Sequence, residues 1–398
     1  MFKRIVSAGV HSSSYEQGVR LLEALGNVII STSQMQRFTE RVGNEFATHT
    51  EKTEEAWEFP ESSAALLGEV ATISIDGGRA QVRSDAHGAG VHEACWRETK
   101  VACLQVLNSI EQDTDPHPEL PIAFADKDIV SNLVSGLKRE AKKTRDPDQP
   151  CNRNLQKKLK EVKQNHQSRA RPVQRFSVAD IRDVDSFGYR VLHKATFENL
   201  HRAKRKAFLA DGDRKLWGVH AQYFKEWGWI PILDFIHGTE YAFEAAQCAS
   251  DQQEEAWSRY IEFITAIWQG KVKEVIHAIE TYIEQQKQIP HSDSKTINDR
   301  LQKLREIANY FENNAQRMNY PQYRRQGLPV SSCHVESLIK QFNFRVKSTE
   351  KFWNETSLKG MLHLKAATLS DDQSWTHFWD SRYEHHASST RHYTRKAA

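Results

Sequence analysis

Three short apolar runs of this chain stop on an aspartate. They are Ala71-Thr72-Ile73-Ser74-Ile75-Asp76, Lys206-Ala207-Phe208-Leu209-Ala210-Asp211 and Ile230-Pro231-Ile232-Leu233-Asp234. Short stretches rich in β-branched and aromatic residues read as strands, and the Gly77-Gly78 and Gly212 that follow two of them are turn formers. A strand ending in this way sets a carboxylate on the rim of a buried sheet, where open α/β sheets bind their ligands. The chain is thereby restricted to an α/β class with a mixed sheet.

The rest of the sequence organises around these runs. Residues 14–46 read as two helices about a turn. Tyr15–Leu25 carries Val19, Leu22 and Leu25 on one stripe, and Ser31-Thr32-Ser33 caps a second helix from Gln34 to Phe46. In that second helix Met35, Phe38 and Val42 point inward while Arg37 and Arg41 point outward, a pattern suited to a helix-turn-helix that enters a major groove. Trp96–Leu107 reads as the next strand. Residues 138–175 hold thirteen Lys/Arg against four Asp/Glu, including Lys142, Lys143, Lys157 and Lys158. Such a run is a solvated arm or a set of phosphate contacts. Residues 252–318 are helical by period, with Trp257, Tyr260, Ile261, Ile264 and Trp268 on one face and Leu301, Leu304, Ile307 and Phe311 on another. A further helix, Val335–Val346, bears Glu336 and is followed by basic residues that include Lys347 and Lys351.

The resulting division is a helix-turn-helix-like DNA-binding segment, 1–64, and the first part of an α/β core, 65–250, with the basic arm 138–175. A helical insertion, 251–328, the end of the core, 329–372, and a basic tail, 373–398, complete it. With 55 basic and 52 acidic residues, net charge alone selects no partner. The five cysteines lack zinc-type spacing and read as reduced intracellular thiols. No run reaches the roughly 18 apolar residues of a membrane span, so a soluble protein with no membrane partner is expected.

Asp76 and Asp211 lie on strands that would be neighbours in a sheet of ribonuclease-H type, and Glu336 lies on a helix that can fold back over both. Three ionised carboxylates brought together repel by about 4 kcal/mol per close pair at an effective dielectric near 20. Either one takes up a proton or cations hold the cluster. Oxygen-only ligands favour Mg²⁺ or Mn²⁺, and two such ions clamp the attacking and leaving oxygens of a phosphodiester displacement. Asp234 and His237 form an Asp-x-x-His pair that fits a helix start capped by Asp234, with an orienting role rather than direct metal ligation. A carboxylate-pair glycosidase would need neither the basic arm nor the helix-turn-helix.

Ile75-Asp76-Gly77-Gly78-Arg79, Trp96-Arg97-Glu98-Thr99-Lys100, Leu209-Ala210-Asp211-Gly212, Ile232-Leu233-Asp234-Phe235-Ile236-His237 and Val335-Glu336-Ser337-Leu338 follow one another in order, ending in Arg345-Val346-Lys347 and Lys351-Phe352-Trp353. In this order the chain resembles the ISKra-type bacterial insertion-sequence transposases, of the Asp-Asp-Glu group with a ribonuclease-H-like core, over roughly residues 10–372. The resemblance implies a catalytic, metal-holding triad of Asp76, Asp211 and Glu336 with two Mg²⁺ or Mn²⁺ ions, and places Asp234 and His237 in the family's Asp-x-x-His element. It implies double-stranded DNA as partner, both element ends and target, a homo-oligomer on DNA, and a cytoplasmic, nucleoid-associated bacterial protein. Arg37, Arg41, Lys142, Lys143, Lys157, Lys158, Arg345, Lys347 and Lys351 are the expected DNA contacts. Family members are often longer at the N-terminus, so a shortened copy is expected. The alternative is a catalytically inactive or truncated transposase-derived DNA-binding protein.

Overall fold

A computed structural model describes residues 1–56, 68–83, 95–142, 171–288, 294–348 and 351–383. Its centre is a mixed sheet. Strands β1 (Val70–Val82) and β2 (Cys95–Asn108) form an antiparallel pair with Asp76 opposite Val101. β3 (Arg171–Asp180) lies antiparallel outside β2, and this edge position tolerates Pro172, which has no N–H to donate. On the other side of β1, β4 (Arg205–Ala210) and β5 (Ile230–Leu233) run parallel to it. The order is β3-β2-β1-β4-β5, with the short β6 (Phe352–Trp353) pairing with β1 at Gln81 and Val82.

Two boundaries differ from the sequence reading. Gly77 and Gly78 do not turn the chain; they continue β1, opposite Lys100 and Thr99. A Cβ on Gly78 would lie 2.8 Å from Thr99 Oγ1, so this glycine serves close approach between strands. Gly212, at φ +103°, does turn the chain. The basic stretch 138–175 is also not one arm. Its start belongs to helix α4 (Lys127–Lys142) and its last five residues, Arg171–Arg175, begin β3. Lys142 closes α4, and Lys143, Lys157 and Lys158 lie outside the described residues.

Helices cover both faces of the sheet because successive strand residues point to opposite sides. Ile73, Ile75, Ala102, Leu104, Phe176 and Val178 enter one core with α4, α5 (Val184–Phe197), α7 (Phe235–Cys248), α8 (Gln253–Trp268), α9 (Val272–Lys287) and α10 (Ser294–Asn314). The short α6 (Arg214–Val219) and α11 (Tyr320–Arg325) complete that layer. Ala80, Val82, Val101, Cys103 and Ala179 enter a second core with α1 (Phe2–His11), α3 (Thr32–Glu55), α12 (Cys333–Val346) and α13 (Glu355–Thr368). α13 buries Leu358, Met361, Leu362 and Leu364, each removing apolar surface that stabilises by about 1.5–3 kcal/mol. It meets α3 closely: a Cβ on Gly360 would lie 2.8 Å from the carbonyl carbon of Gly43.

The N-terminal hairpin comprises α2 (Tyr15–Gly26) and α3, which starts at a capping box of Ser31 and Gln34. α3 runs on to Glu55, well beyond Phe46, because its second half has a face to bury against α13. A buried polar network joins these layers. Asp180 accepts from Arg190 at 2.7 Å and faces His363 at 3.2 Å, and Glu54 of α3 pairs with Arg190 at 3.0 Å. Burial alone would push the Asp180 carboxyl up, but His363, Arg190 and Arg182 together hold it well below the usual carboxylate range. Among the described residues no helix is long and apolar enough to cross a membrane.

Candidate active site at the carboxyl ends of the parallel strands

Strand register puts three aspartates on one line. Ser74 is level with Leu209 and Leu209 with Ile232. Continuing that register two residues sets Asp76 beside Asp211 and Asp211 beside Asp234. Neighbouring strands lie about 4.8 Å apart, so the three carboxylates leave the sheet from adjacent positions. Asp76 stands where β4 has ended, which leaves that edge of β1 uncovered until β6 pairs with it.

The first residues of α7 and α12 close over this rim. Asp234 caps α7, accepting from Ile236 N–H at 3.0 Å, and it is fully buried. Its other oxygen accepts a hydrogen bond from the Ser332 hydroxyl at the start of α12. Phe235 N–H donates to Val330 C=O at 2.9 Å, so the chain entering α12 is fastened to the start of α7 twice. Glu336 follows one turn after Ser332. It faces Lys340 at 3.8 Å, with its side chain 17% exposed.

His237 reports on all four acids. Its Nε2 lies 4.0 Å from Asp234 Oδ2. Burial alone would lower its pKa, yet Asp234, Asp211, Asp76 and Glu336, in falling order, raise it above the ordinary histidine value. The two aspartates and the glutamate singled out from the sequence therefore face one histidine, together with Asp234. They do not close on a single point. Asp76 Oδ1 accepts from its own chain at Gly77 N–H, 2.6 Å, and Asp211 Oδ1 from Asp213 N–H, 2.9 Å. Among the described residues no group of three or more His, Cys, Asp or Glu is arranged to hold a metal ion. Turning ionised carboxylates onto backbone donors spreads like charge, which repulsion within such a group favours.

Helices outside the acid cluster add residues that sequence reading missed. Tyr310 of α10 donates its hydroxyl to Asp211 C=O at 2.7 Å, and Tyr241 of α7 stacks on Tyr310 with centroids 3.8 Å apart. Burial pushes the Tyr310 hydroxyl well above its ordinary range, with Tyr241 adding to this, so it remains a donor. Tyr241 follows His237 by four residues, a helical spacing that places both on one face of α7.

The expected DNA contacts separate into two groups. Arg37 and Arg41 are exposed on α3; Arg41 pairs with Glu45 at 3.0 Å. Lys347 is half-buried. Lys351 donates to Phe344 C=O at 3.2 Å, and burial, with Arg345 adding, lowers its pKa to about 8. Arg345 is corrected. It is 2% exposed, donates from Nε to Gly9 C=O at 2.8 Å, and lies 4.2 Å over the Tyr15 ring. A guanidinium held in this way is a packing group between α12 and the N-terminal helices, out of reach of a phosphate. An open groove of about 720 Å³ on α3 is lined by Arg41, Asn44, Glu45, Thr48, His49 and Lys52 and includes no residue of the acid cluster.

No family model matches the chain, and no curated protein is significantly similar to it.

Proposed function

We propose that this chain is a DNA transposase of the Asp-Asp-Glu group with a ribonuclease-H-like core. The sheet order β3-β2-β1-β4-β5, antiparallel on one side of β1 and parallel on the other, supports that core. The observation that carries the reading is the convergence on His237 of Asp76 and Asp211 from adjacent strands and Glu336 from a helix laid over them.

Asp76, Asp211 and Glu336 are the oxygen donors suited to two Mg²⁺ or Mn²⁺ ions. Ions bound to such donors activate the attacking oxygen and stabilise the leaving oxygen of a phosphodiester displacement. The chain's own groups do the positioning. Asp234 has both oxygens engaged, one by Ile236 N–H and one by Ser332, so it orients α7 and α12. His237 takes up a proton more readily than an ordinary histidine and balances part of the acid charge. Double-stranded DNA is the proposed substrate, with Arg37 and Arg41 on the exposed side of α3 and Lys347 beyond α12 as phosphate contacts. A homo-oligomer would hold two DNA ends.

The test is Mg²⁺- or Mn²⁺-dependent nicking and strand joining on DNA carrying the element's ends. Asp76→Asn and Asp211→Asn should each lower cleavage at least 10³-fold, since each removes a charged donor, while DNA binding persists. Cleavage by either variant at the parental rate refutes the assignment. The splayed carboxylates favour one alternative, a transposase-derived DNA-binding protein without catalysis. It predicts salt-sensitive DNA binding and no Mg²⁺-dependent product.

A further inference from the structure

The helical block between β5 and α12 reaches the acid cluster through a single side chain described above, Tyr310. Three features make that contact more than packing. The backbone beside Asp211 is held from two directions: Asp234 N–H donates to Ala210 C=O at 2.9 Å, and the Tyr310 hydroxyl donates to Asp211 C=O at 2.7 Å. The next residue, Gly212, is in the left-handed region, and a Cβ there would lie 2.7 Å from Tyr310 Cε2. The turn is therefore shaped to the tyrosine ring. The Asp211 carboxylate then folds back onto Asp213 N–H at 2.9 Å, which links its direction to the turn.

Tyr310 is itself immobilised. Tyr241 stacks on its ring at 3.8 Å and 22°. Asn314, one turn later on α10, donates to Tyr310 C=O at 2.9 Å and accepts from Trp217 Nε1 of α6 at 3.0 Å. Trp217 lies six residues beyond Asp211, so the helix following the turn and the helix bearing the tyrosine are fastened together.

We propose that Tyr310 is a positioning residue whose hydroxyl fixes the Asp211–Gly212 turn and so aims the Asp211 carboxylate at a divalent cation. This assignment rests on the reading of Asp211 as a metal-holding group. Without the hydroxyl, the ring and its stack persist but the turn loses one of its two fastenings. Displacements of about 1 Å at a catalytic centre cost on the order of 10²-fold in rate.

The experiment measures Mn²⁺ binding to the full chain by titration calorimetry without DNA, beside its thermal unfolding. Tyr310→Phe should weaken Mn²⁺ binding by about tenfold or more and lower kcat for nicking while KM for DNA stays put. Tyr260→Phe is the control. It removes another tyrosine hydroxyl from the same block, one donating to Phe124 C=O at 3.0 Å, and should lower the unfolding temperature without changing Mn²⁺ affinity. If the parent binds Mn²⁺ and Tyr310→Phe binds it equally well, the role given to Tyr310 is wrong while the acid site stands. If Tyr260→Phe weakens Mn²⁺ binding as much, the effect is general loosening and the assignment also falls. A parent that binds no Mn²⁺ overturns both.

Discussion

Replacing Asp234 by asparagine should lower the pH at which His237 gives up its proton. The change keeps an oxygen to cap α7 and to accept from Ser332, since asparagine caps about as well as aspartate. What it removes is a negative charge 4.0 Å from the imidazole. At that distance Coulomb's law gives about 1 kcal/mol in water and about 4 kcal/mol at an effective dielectric of 20. Asp234 is fully buried and the His237 side chain is 19% exposed, so the loss falls between these limits. Even the lower limit is roughly a fivefold change in the protonation constant. A folded pKa raised above the unfolded value makes His237 stabilising below about pH 6.5, and that contribution is lost as pH rises through the folded value. Parent and Asp234→Asn should accordingly differ most in stability at mildly acid pH and converge on the alkaline side. The assay is an NMR titration of the His237 ring protons. Asp211→Asn, Asp76→Asn and Glu336→Gln should each lower the midpoint too, by progressively less. Asp371→Asn, remote on β3 where its carboxylate accepts from Arg175 N–H, should leave the midpoint in place. A parental midpoint at or below that of an ordinary histidine, or one that no acid variant moves, would show that the four carboxylates do not meet at this histidine.

Two further outcomes concern stability. Asp180→Ala should destabilise by about 3–5 kcal/mol in urea unfolding, because it leaves the buried guanidinium of Arg190 without its 2.7 Å partner; a loss under 1 kcal/mol would contradict the network's role. Gly360→Ala should cost about 1–3 kcal/mol, since its methyl meets the Gly43 backbone at 2.8 Å. Gly218→Ala, with nothing within 4 Å of its added methyl, should instead raise the unfolding temperature slightly.

Much of the site was legible because strand chemistry is local. β-branched runs ending on Asp76, Asp211 and Asp234 need only a parallel arrangement to bring their carboxylates level, and the helical period placed Glu336 on its own element. The failures share a different cause, which is that the deciding partner lies far away in sequence. Gly77-Gly78 reads as a turn until Thr99 is seen against it. Arg171-Pro172-Val173-Gln174-Arg175 reads as part of a basic arm because two cations and a proline mask an edge strand. Arg345 reads as a solvated helix cation because nothing nearby in sequence announces the Gly9 carbonyl or the Tyr15 ring. Tyr310 looks like ordinary helix packing, its meaning set by Asp211, 99 residues earlier. The Asp180–His363 contact spans 183 residues and had no sequence signal at all.

The lodging of Arg345 among the first helices bears on how the molecule can be taken apart. A polypeptide trimmed to begin at the sheet would strip the carbonyl and the aromatic ring from a cation on the very helix that carries Glu336. Left behind would be an interior charge facing an apolar hollow, a defect worth several kcal/mol. Loss of activity in such a fragment would then register damage to the acid-bearing helix as well as loss of DNA recognition, and the two could be told apart only with the leading helices kept in place.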